Sequence, residues 1–316
     1  MPTTLITGAA GQIGTDLVRA LRARDGADAV VATDLTPCPE RWGDGPCEPL
    51  DVSDAAALDA LVRQYHVDTV YHLASLLSAT GERKPELAWT VNVGGLRNVL
   101  AAAKEHGLRV FWPSSIAVFG PTTPRTAGQQ TVLEPTTMYG VTKVTGELLC
   151  QYAFVKDGVD VRSLRYPGLI SYTAPPGGGT TDYAVAIFHA AAEGEPYTCF
   201  VRPDTKLPMM YMPDAITATL ALMDAPADRI GVRTSYNVGA LSFTAEELAA
   251  AIRKRFPDFE VTYEPDYRQA IADSWPAEVE DDAARRDWGW APRYELDEMV
   301  DDMLAHLPMP EMGDGK

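Results

Sequence analysis

Tyr139 and Lys143 stand four apart in Met138-Tyr139-Gly140-Val141-Thr142-Lys143, a spacing that puts both on one face of a helix. A free tyrosine, with a pKa near 10, is a poor base at neutral pH. An ammonium beside it favours the phenolate and brings that pKa toward the working range, so the pair can serve as a general acid/base. Pairs of this spacing also arise by chance. Ser115 adds what chance does not: it closes the run Pro113-Ser114-Ser115 at the end of an expected strand, where its hydroxyl can hold a reacting oxygen toward Tyr139.

A second chemistry-bearing segment opens the chain. Leu5-Ile6-Thr7-Gly8-Ala9-Ala10-Gly11-Gln12-Ile13-Gly14 reads as a strand, a glycine turn and a helix start. Gly8 allows a tight turn, Gly11 lets backbone approach a pyrophosphate, and Gly14 allows close helix–strand packing. The helix start at Gln12 and Ile13 offers N–H groups and a positive dipole end to phosphates. A bare glycine turn has the same spacing, and Asp34 separates the two readings. It ends the second expected strand, where a carboxylate can accept both adenine-ribose hydroxyls and repel a 2′-phosphate, favouring NAD over NADP. Asp51 and Val52 follow a weak third strand and could contact adenine. Leu73, Ala74 and Ser75 end the fourth, where small residues leave room for a cofactor. His72 reads as a packed strand residue and not as a base.

These residues need a scaffold, and the hydrophobic pattern supplies one. Apolar runs at Leu5–Thr7, Ala29–Thr33, Thr69–Leu73, Val110–Pro113 and Val161–Leu164 alternate with helical patterns at Ile13–Arg24, Ala55–Tyr65, Glu86–His106 and Met138–Lys156. Pro49-Leu50-Asp51 is a weaker strand. Such alternation predicts an α/β fold with a Rossmann doubly wound parallel sheet. After Pro167 the pattern changes: residues 172–181 read as a Pro/Gly/Thr-rich loop, and helices are expected near Asp182–Gly194, Pro213–Ala225, Thr244–Phe256, Asp281–Trp288 and Leu296–His306. The expected organisation is a cofactor-binding domain over 1–167, to which segments near 208–238 return. A smaller C-terminal substrate lobe covers 168–207 and 239–316.

Taken together, the sequence resembles the extended short-chain dehydrogenase/reductases over nearly its whole length. Within them it is most similar to the short-chain type of L-threonine 3-dehydrogenase, a relative of the UDP-galactose 4-epimerases. The narrower match is carried by Pro113-Ser114-Ser115-Ile116-Ala117-Val118-Phe119-Gly120, Tyr139-Gly140-Val141-Thr142-Lys143 and Arg165-Tyr166-Pro167-Gly168-Leu169-Ile170. It continues in Gly177-Gly178-Gly179-Thr180-Thr181-Asp182-Tyr183 and Leu207-Pro208-Met209-Met210-Tyr211-Met212-Pro213-Asp214. The run Asp281-Asp282-Ala283-Ala284-Arg285-Arg286-Asp287-Trp288-Gly289-Trp290 resembles a C-terminal helix and turn of the wider family. The resemblance implies Ser115, Tyr139 and Lys143 as a catalytic triad, NAD as cofactor, and Asn92 as a residue ordering the lysine side of the site. Asn92, Tyr139, Lys143 and Tyr166 are further expected cofactor contacts.

The substrate is the finer question. Sugar epimerases of this family carry an asparagine in an Arg-Tyr-Phe-Asn motif to hold a diphosphate, whereas this chain has Arg165-Tyr166-Pro167-Gly168. No Lys or Arg occurs from Tyr166 through Val201. A single carboxylate asks for less: Thr180, Thr181 and Asp182 follow a glycine loop at a helix start and could bind one anion, or merely cap the helix. Ser78 and Trp275 are further substrate-side candidates, Trp275 with core packing as the alternative. The expected reaction is NAD-dependent oxidation of the L-threonine C3 hydroxyl to 2-amino-3-oxobutanoate. A nucleotide-sugar epimerase or dehydratase and a non-catalytic NAD(H)-sensing protein remain the alternatives.

Composition limits the partners. The 316 residues are 46% hydrophobic and 22% charged, with a formal charge of −17 spread along the chain. Phosphates would be repelled over most of such a surface, which argues against nucleic acid and anionic membranes. Cys38, Cys47, Cys150 and Cys199 show no C-x-x-C spacing, so no metal site is expected, and reduced thiols in a cytoplasmic setting fit. No leader or spanning segment is readable. The helices Glu86–His106 and Met138–Lys156 carry apolar positions beyond what one sheet face covers; the resemblance implies that they pair across a two-fold as a homodimer, with burial inside the monomer as the alternative.

Overall fold

The computed structural model describes residues 3–36, 44–175 and 177–307. Seven of its strands, numbered in chain order, form one parallel sheet: β1 (Thr3–Thr7), β2 (Val30–Asp34), β3 (Cys47–Pro49), β4 (Val67–His72), β5 (Arg109–Ser115), β7 (Val161–Tyr166) and β11 (Tyr236–Asn237). Their order is β11-β7-β5-β4-β1-β2-β3. A parallel sheet must be covered on both faces, so its inner strands are largely buried, with alternate residues feeding opposite cores. Leu5, Val31, Val110 and Trp112 pack with one core, into which α2 (Ala55–Gln64), α5 (Gly95–His106) and α6 (Met138–Asp157) project. Ile6, Ala32 and Phe111 point the other way, under α1 (Gln12–Asp25) and α8 (Met212–Asp224). This is the doubly wound Rossmann arrangement. Strand order reverses at β1, so the crevice for a ligand opens beyond the carboxyl ends of β1 and β4.

A third core builds the C-terminal part. It gathers α7 (Tyr183–Glu193), α9 (Ala245–Arg253) and α12 (Leu296–His306) over a three-stranded sheet of β8 (Gly168–Ile170), β10 (Lys206–Tyr211) and β12 (Leu241–Thr244). Within the stretch expected to rejoin the first sheet, the structure divides the pieces. Tyr236–Asn237 pairs with β7 and α8 packs against the central sheet, but Lys206–Tyr211 pairs with β8 and β12 instead. β8 runs parallel to β10 one residue after Pro167, which separates it from β7, and that pairing claims the Lys206–Tyr211 run.

The expected long helix begins with α4 (Pro85–Ala88), passes through a π-helical turn at Trp89–Gly94 and continues as α5. Several short elements carried no periodic signal: α3 (Ser78–Arg83), α10 (Arg268–Asp273), and the two-stranded pairs β6 (Thr126–Ala127) with β14 (Glu278–Val279) and β9 (Tyr197–Cys199) with β13 (Val261–Tyr263). The last helix before the C-terminal one is α11 (Asp282–Trp288). Among the described residues, no helix is long and apolar enough to cross a membrane.

The cysteines need a correction. Cys47 is disulfide-bonded, so the expectation of four reduced thiols fails. A disulfide requires only that two Cβ atoms approach to about 4 Å, which a chain turn can supply without a C-x-x-C spacing. Cys150 and Cys199 are free and buried, and Cys38 lies outside the described residues.

Candidate active site

The carboxyl ends of β1, β4, β5 and β7 converge on a cavity of about 240 Å³. Ser115 ends β5, and its Oγ accepts the Ala117 N–H (3.2 Å), which starts a short 3₁₀ turn plugged into the C-terminal core. Tyr139 and Lys143 reach the cavity from the first turns of α6, whose N-cap, Thr137, accepts the Gly140 N–H (3.1 Å). Ser115, Tyr139 and Lys143 therefore line one space, as their spacing anticipated.

Electrostatics depart from the simple picture. Burial pushes the Tyr139 phenol up to about 12, with the Ser115 hydroxyl pulling the other way. Burial also brings Lys143 down to about 7. Its Nζ donates to the Pro113 carbonyl (2.6 Å) and sits 4.7 Å from the Trp112 ring centroid. Lys143 thus holds its proton only weakly here, and an additional positive charge in the cavity would favour the phenolate and bring its pKa toward neutral pH. His72 is fully buried, pushed down to about 3 by burial and then by Lys143, and its Nδ1 bonds the Thr7 hydroxyl (2.7 Å). A neutral ring tying β1 to β4 is not placed to act as a base on a ligand.

Thr180, Thr181, Asp182 and Trp275 also line the cavity, with Ser78 at the start of α3. The Asp182 carboxylate is already committed. Its Oδ2 accepts the Gly178 and Gly179 N–H groups (2.6 and 2.8 Å), so it shapes the glycine loop. Thr181 packs on Gly168 so closely that a Cβ there would lie 2.7 Å from Thr181 Cγ2 and 2.4 Å from Met209 Sδ.

The glycine turn is built for close approach. Gly8 takes φ +69°, and a Cβ on it would meet the Ala74 N at 2.5 Å; one on Gly14 would meet the Gly8 carbonyl at 2.4 Å. Helix α1 starts at Gln12, after Gly11, with no side-chain cap and no acidic residue in its first turn, which suits its first N–H groups to an anion. Gly8, Gly11, Gln12, Ile13, Gly14, Leu73, Ser75 and Tyr166 all line the cavity, and the buried Ser75 Oγ has no partner among the described residues. Asp34 stands just outside, its Oδ2 accepting the Ala10 N–H (2.9 Å).

Other expected contacts lie further off. Asp51 Oδ1 accepts the Ser53 N–H and hydroxyl (2.9 and 2.7 Å), Val52 is buried against Gly95, and neither lines the cavity. Ala74 backs the Gly8 turn. Asn92 is one layer behind: from the π-helical turn its Oδ1 accepts the Leu76 N–H (2.7 Å), while its Nδ2 donates to the Leu76 carbonyl and the Thr142 hydroxyl (both 3.1 Å). Asn92 therefore organises the wall without forming it.

The likeness of the chain to known proteins extends over most of its length. The profile of the NAD dependent epimerase/dehydratase family matches residues 4–239. The chain belongs to that family. An uncharacterized epimerase/dehydratase of Staphylococcus haemolyticus is 49% identical over 315 residues, 98% of this chain and 99% of that protein. Among solved structures, the holo form of a GalE-like L-threonine dehydrogenase from Cupriavidus necator superposes with a TM-score of 0.95 at 55% identity, covering 96% of this chain and 99% of that one. A monomeric L-threonine 3-dehydrogenase of metagenomic origin, in its apo form, gives 0.93 at 48% identity over 97% and 99%.

The family fixes the cofactor as NAD, and the residues present fit it: an uncapped helix end at Gly11, no room for a side chain at Gly8 or Gly14, and an unpartnered Ser75 hydroxyl. An NAD oxidoreductase on this fold also needs its reacting strand ends held firmly. The sequence assigned no such role to the residues that do so. Ser114, which lines the cavity, forms a buried cluster with Glu147 and Arg165. Glu82 on α3 accepts the Met138 N–H (2.5 Å) at the head of α6. Glu147 was within reach, since it continues the spacing of four from Tyr139 and Lys143; nothing in the sequence marked Glu82.

Proposed function

We propose that this protein oxidises the C3 hydroxyl of L-threonine to 2-amino-3-oxobutanoate. The observation that carries the reading is the charge of the cavity: among the described residues lining it, Lys143 is the lone cation. A diphosphate would find no guanidinium or second ammonium there, whereas one small carboxylate can be met by hydroxyls and free N–H groups at Thr180 and Thr181. Gly168 supports this. It stands where related sugar epimerases place a diphosphate-binding asparagine, and Thr181 with Met209 leave no space for a side chain. The similarity to solved L-threonine dehydrogenases points the same way.

In this reading Ser115 Oγ and Tyr139 Oη hold the substrate C3 oxygen between them. Tyr139, as phenolate, takes the hydroxyl proton, and the Lys143 ammonium offsets the charge that ionisation puts on the phenol. NAD, when bound, supplies the hydride acceptor. Asp182 keeps the glycine loop in shape, Asn92 keeps Leu76 and Thr142 in register, and Trp275 closes the far side. Asp34 selects NAD over NADP. The organisation follows as a cofactor domain over 1–167 joined by α8 and β11, with the remaining C-terminal residues forming a substrate lobe in a cytoplasmic enzyme.

The chain also presents an apolar stripe on α6: Val141, Leu148, Tyr152 and Val155 are exposed on one helical face. It supports a homodimer pairing α6 and its neighbour α5 across a two-fold, although one similar structure is named as monomeric.

The test is NADH formation with L-threonine, L-serine, L-allo-threonine and UDP-galactose in parallel. L-Threonine should be oxidised with net NADH and UDP-galactose left unchanged. Tyr139→Phe should slow turnover by roughly two to four orders of magnitude with NAD binding preserved. UDP-galactose epimerisation without net NADH would replace this reading with a sugar epimerase.

A further inference from the structure

At the edge of the cavity, which Ser114 lines, the side chains of Ser114, Glu147 and Arg165 make a buried polar cluster. Arg165 grips Glu147 with two parallel bonds, Nε to Oε1 (2.8 Å) and Nη2 to Oε2 (2.7 Å). Ser114 Oγ donates to the same Oε1 (2.7 Å). The third guanidinium nitrogen donates to Asn237 Oδ1 (3.0 Å) and the Gln129 carbonyl (3.2 Å), which ties the cluster to β11 and the loop after β6. Burying a charge pair costs desolvation that a well-packed apolar pair would avoid, so the cluster is poorly explained as a device for stability. Its location supplies a different explanation. Ser114 precedes Ser115, Arg165 precedes the cavity residue Tyr166, and Glu147 lies one helical turn beyond Lys143.

We propose that Glu147, clamped by Arg165, is a positioning residue for the Ser115, Tyr139 and Lys143 set: it fixes the end of β5 through Ser114 and sets the local charge under which Lys143 holds its proton. This inference rests on the catalytic reading above. The groups facing Lys143 are few. Along α6 they are Tyr139, Glu147 and the neutral Cys150 thiol; from β4 comes neutral His72, and from β5 the Trp112 ring and the Pro113 carbonyl. Glu147 is the one carboxylate among them, and its attraction opposes the burial that drives Lys143 toward its neutral form.

Two variants and two readouts test it. Glu147→Gln keeps shape and one acceptor for Ser114 but removes the negative charge. Removing that charge lowers the midpoint of every nearby titration, so the Lys143 Cε resonance followed by NMR in cofactor-free protein should titrate about one pH unit lower than in the unmodified protein. The pH profile of kcat/KM for L-threonine should move the same way. Ser114→Ala leaves the charge in place, so it should lower kcat roughly three- to ten-fold with the Lys143 midpoint unmoved. A Glu147→Gln protein that is less stable or less active but has an unshifted Lys143 midpoint would overturn the proposal. So would a Ser114→Ala enzyme with kcat within two-fold of normal, and that variant decides alone if Glu147→Gln does not fold. The NMR readout needs no substrate, so a failure of the L-threonine assignment, seen as no turnover by the unmodified enzyme, stays distinguishable from a failure here.

Discussion

Replacing Asn92 with leucine keeps nearly the same volume and removes three hydrogen bonds at once. The side chain is buried inside the π-helical turn, and its partners are the Leu76 N–H, the Leu76 carbonyl and the Thr142 hydroxyl. Thr142 keeps a second bond, from its hydroxyl to the Tyr139 carbonyl (2.7 Å), so its loss is partial. Leu76 loses both side-chain bonds in a partly buried setting. At about 1 kcal/mol for each ordinary bond, and more for a buried group left unpaired, the total is about 2–4 kcal/mol. The segment that would loosen carries Ser75, Leu77 and Ser78, which line the cavity. Part of the loss should appear as a melting temperature lower by roughly 2 °C for each kcal/mol that reaches the global transition. The rest should appear as local opening, with kcat/KM for L-threonine reduced roughly ten- to a hundred-fold and the KM for substrate raised more than that for NAD. Thermal denaturation and steady-state kinetics on the same preparation separate the two. A variant with unchanged melting temperature and kcat/KM within two-fold of normal would refute the idea that Asn92 holds this wall.

Four further outcomes are expected. NAD should be strongly preferred over NADP, and Asp34→Ala should narrow the margin at least ten-fold, while also losing the tie to Ala10 (2.9 Å); equal use of both cofactors by the unmodified protein would count against it. His72 titrates near 3 when folded and at its ordinary 6.5 when unfolded, so the unfolded chain takes up a proton that the folded one refuses as pH falls between those values. Stability contributed by the neutral ring is therefore present above about 6.5 and lost as pH falls toward 3; His72→Gln should flatten that part of the melting profile, and an identical acid limb would refute the assignment. Replacing Thr180 or Thr181 with alanine should raise the KM for L-threonine roughly ten- to a hundred-fold, as expected for one lost bond to a charged group; an unchanged KM for both would move the carboxylate elsewhere. Light scattering should return twice the protomer mass of 34.3 kDa, and Tyr152→Glu on the exposed α6 stripe should halve it; a monomer at micromolar concentration would rule out the dimer.

The elements that recur with a clear period were readable before any coordinates. Strands apolar on both faces, the glycine turn at Gly8–Gly14, Asp34 at a strand end and the Tyr139/Lys143 spacing are local patterns. A doubly wound sheet then brings the carboxyl ends of β1, β4, β5 and β7 to one crevice, whichever loops join them. Ser115, Tyr139 and Lys143 were therefore legible as a group from sequence order alone. What the tertiary structure decided depends on contacts between distant residues. The sequence groups the run near residue 208 with segments that return to the main sheet, and pairing with β8 and β12 takes it out of that sheet. Asp182 looks free to meet a ligand until the turn at Gly178 and Gly179 brings two N–H groups to its carboxylate. The charge states are the clearest case. The sequence places a lysine beside a tyrosine, but whether that lysine stays charged depends on how much water is excluded around it. It also depends on a carboxylate one turn away that is paired with an arginine from β7. Desolvation and pairing are properties of the packed interior, and no spacing along the chain records them.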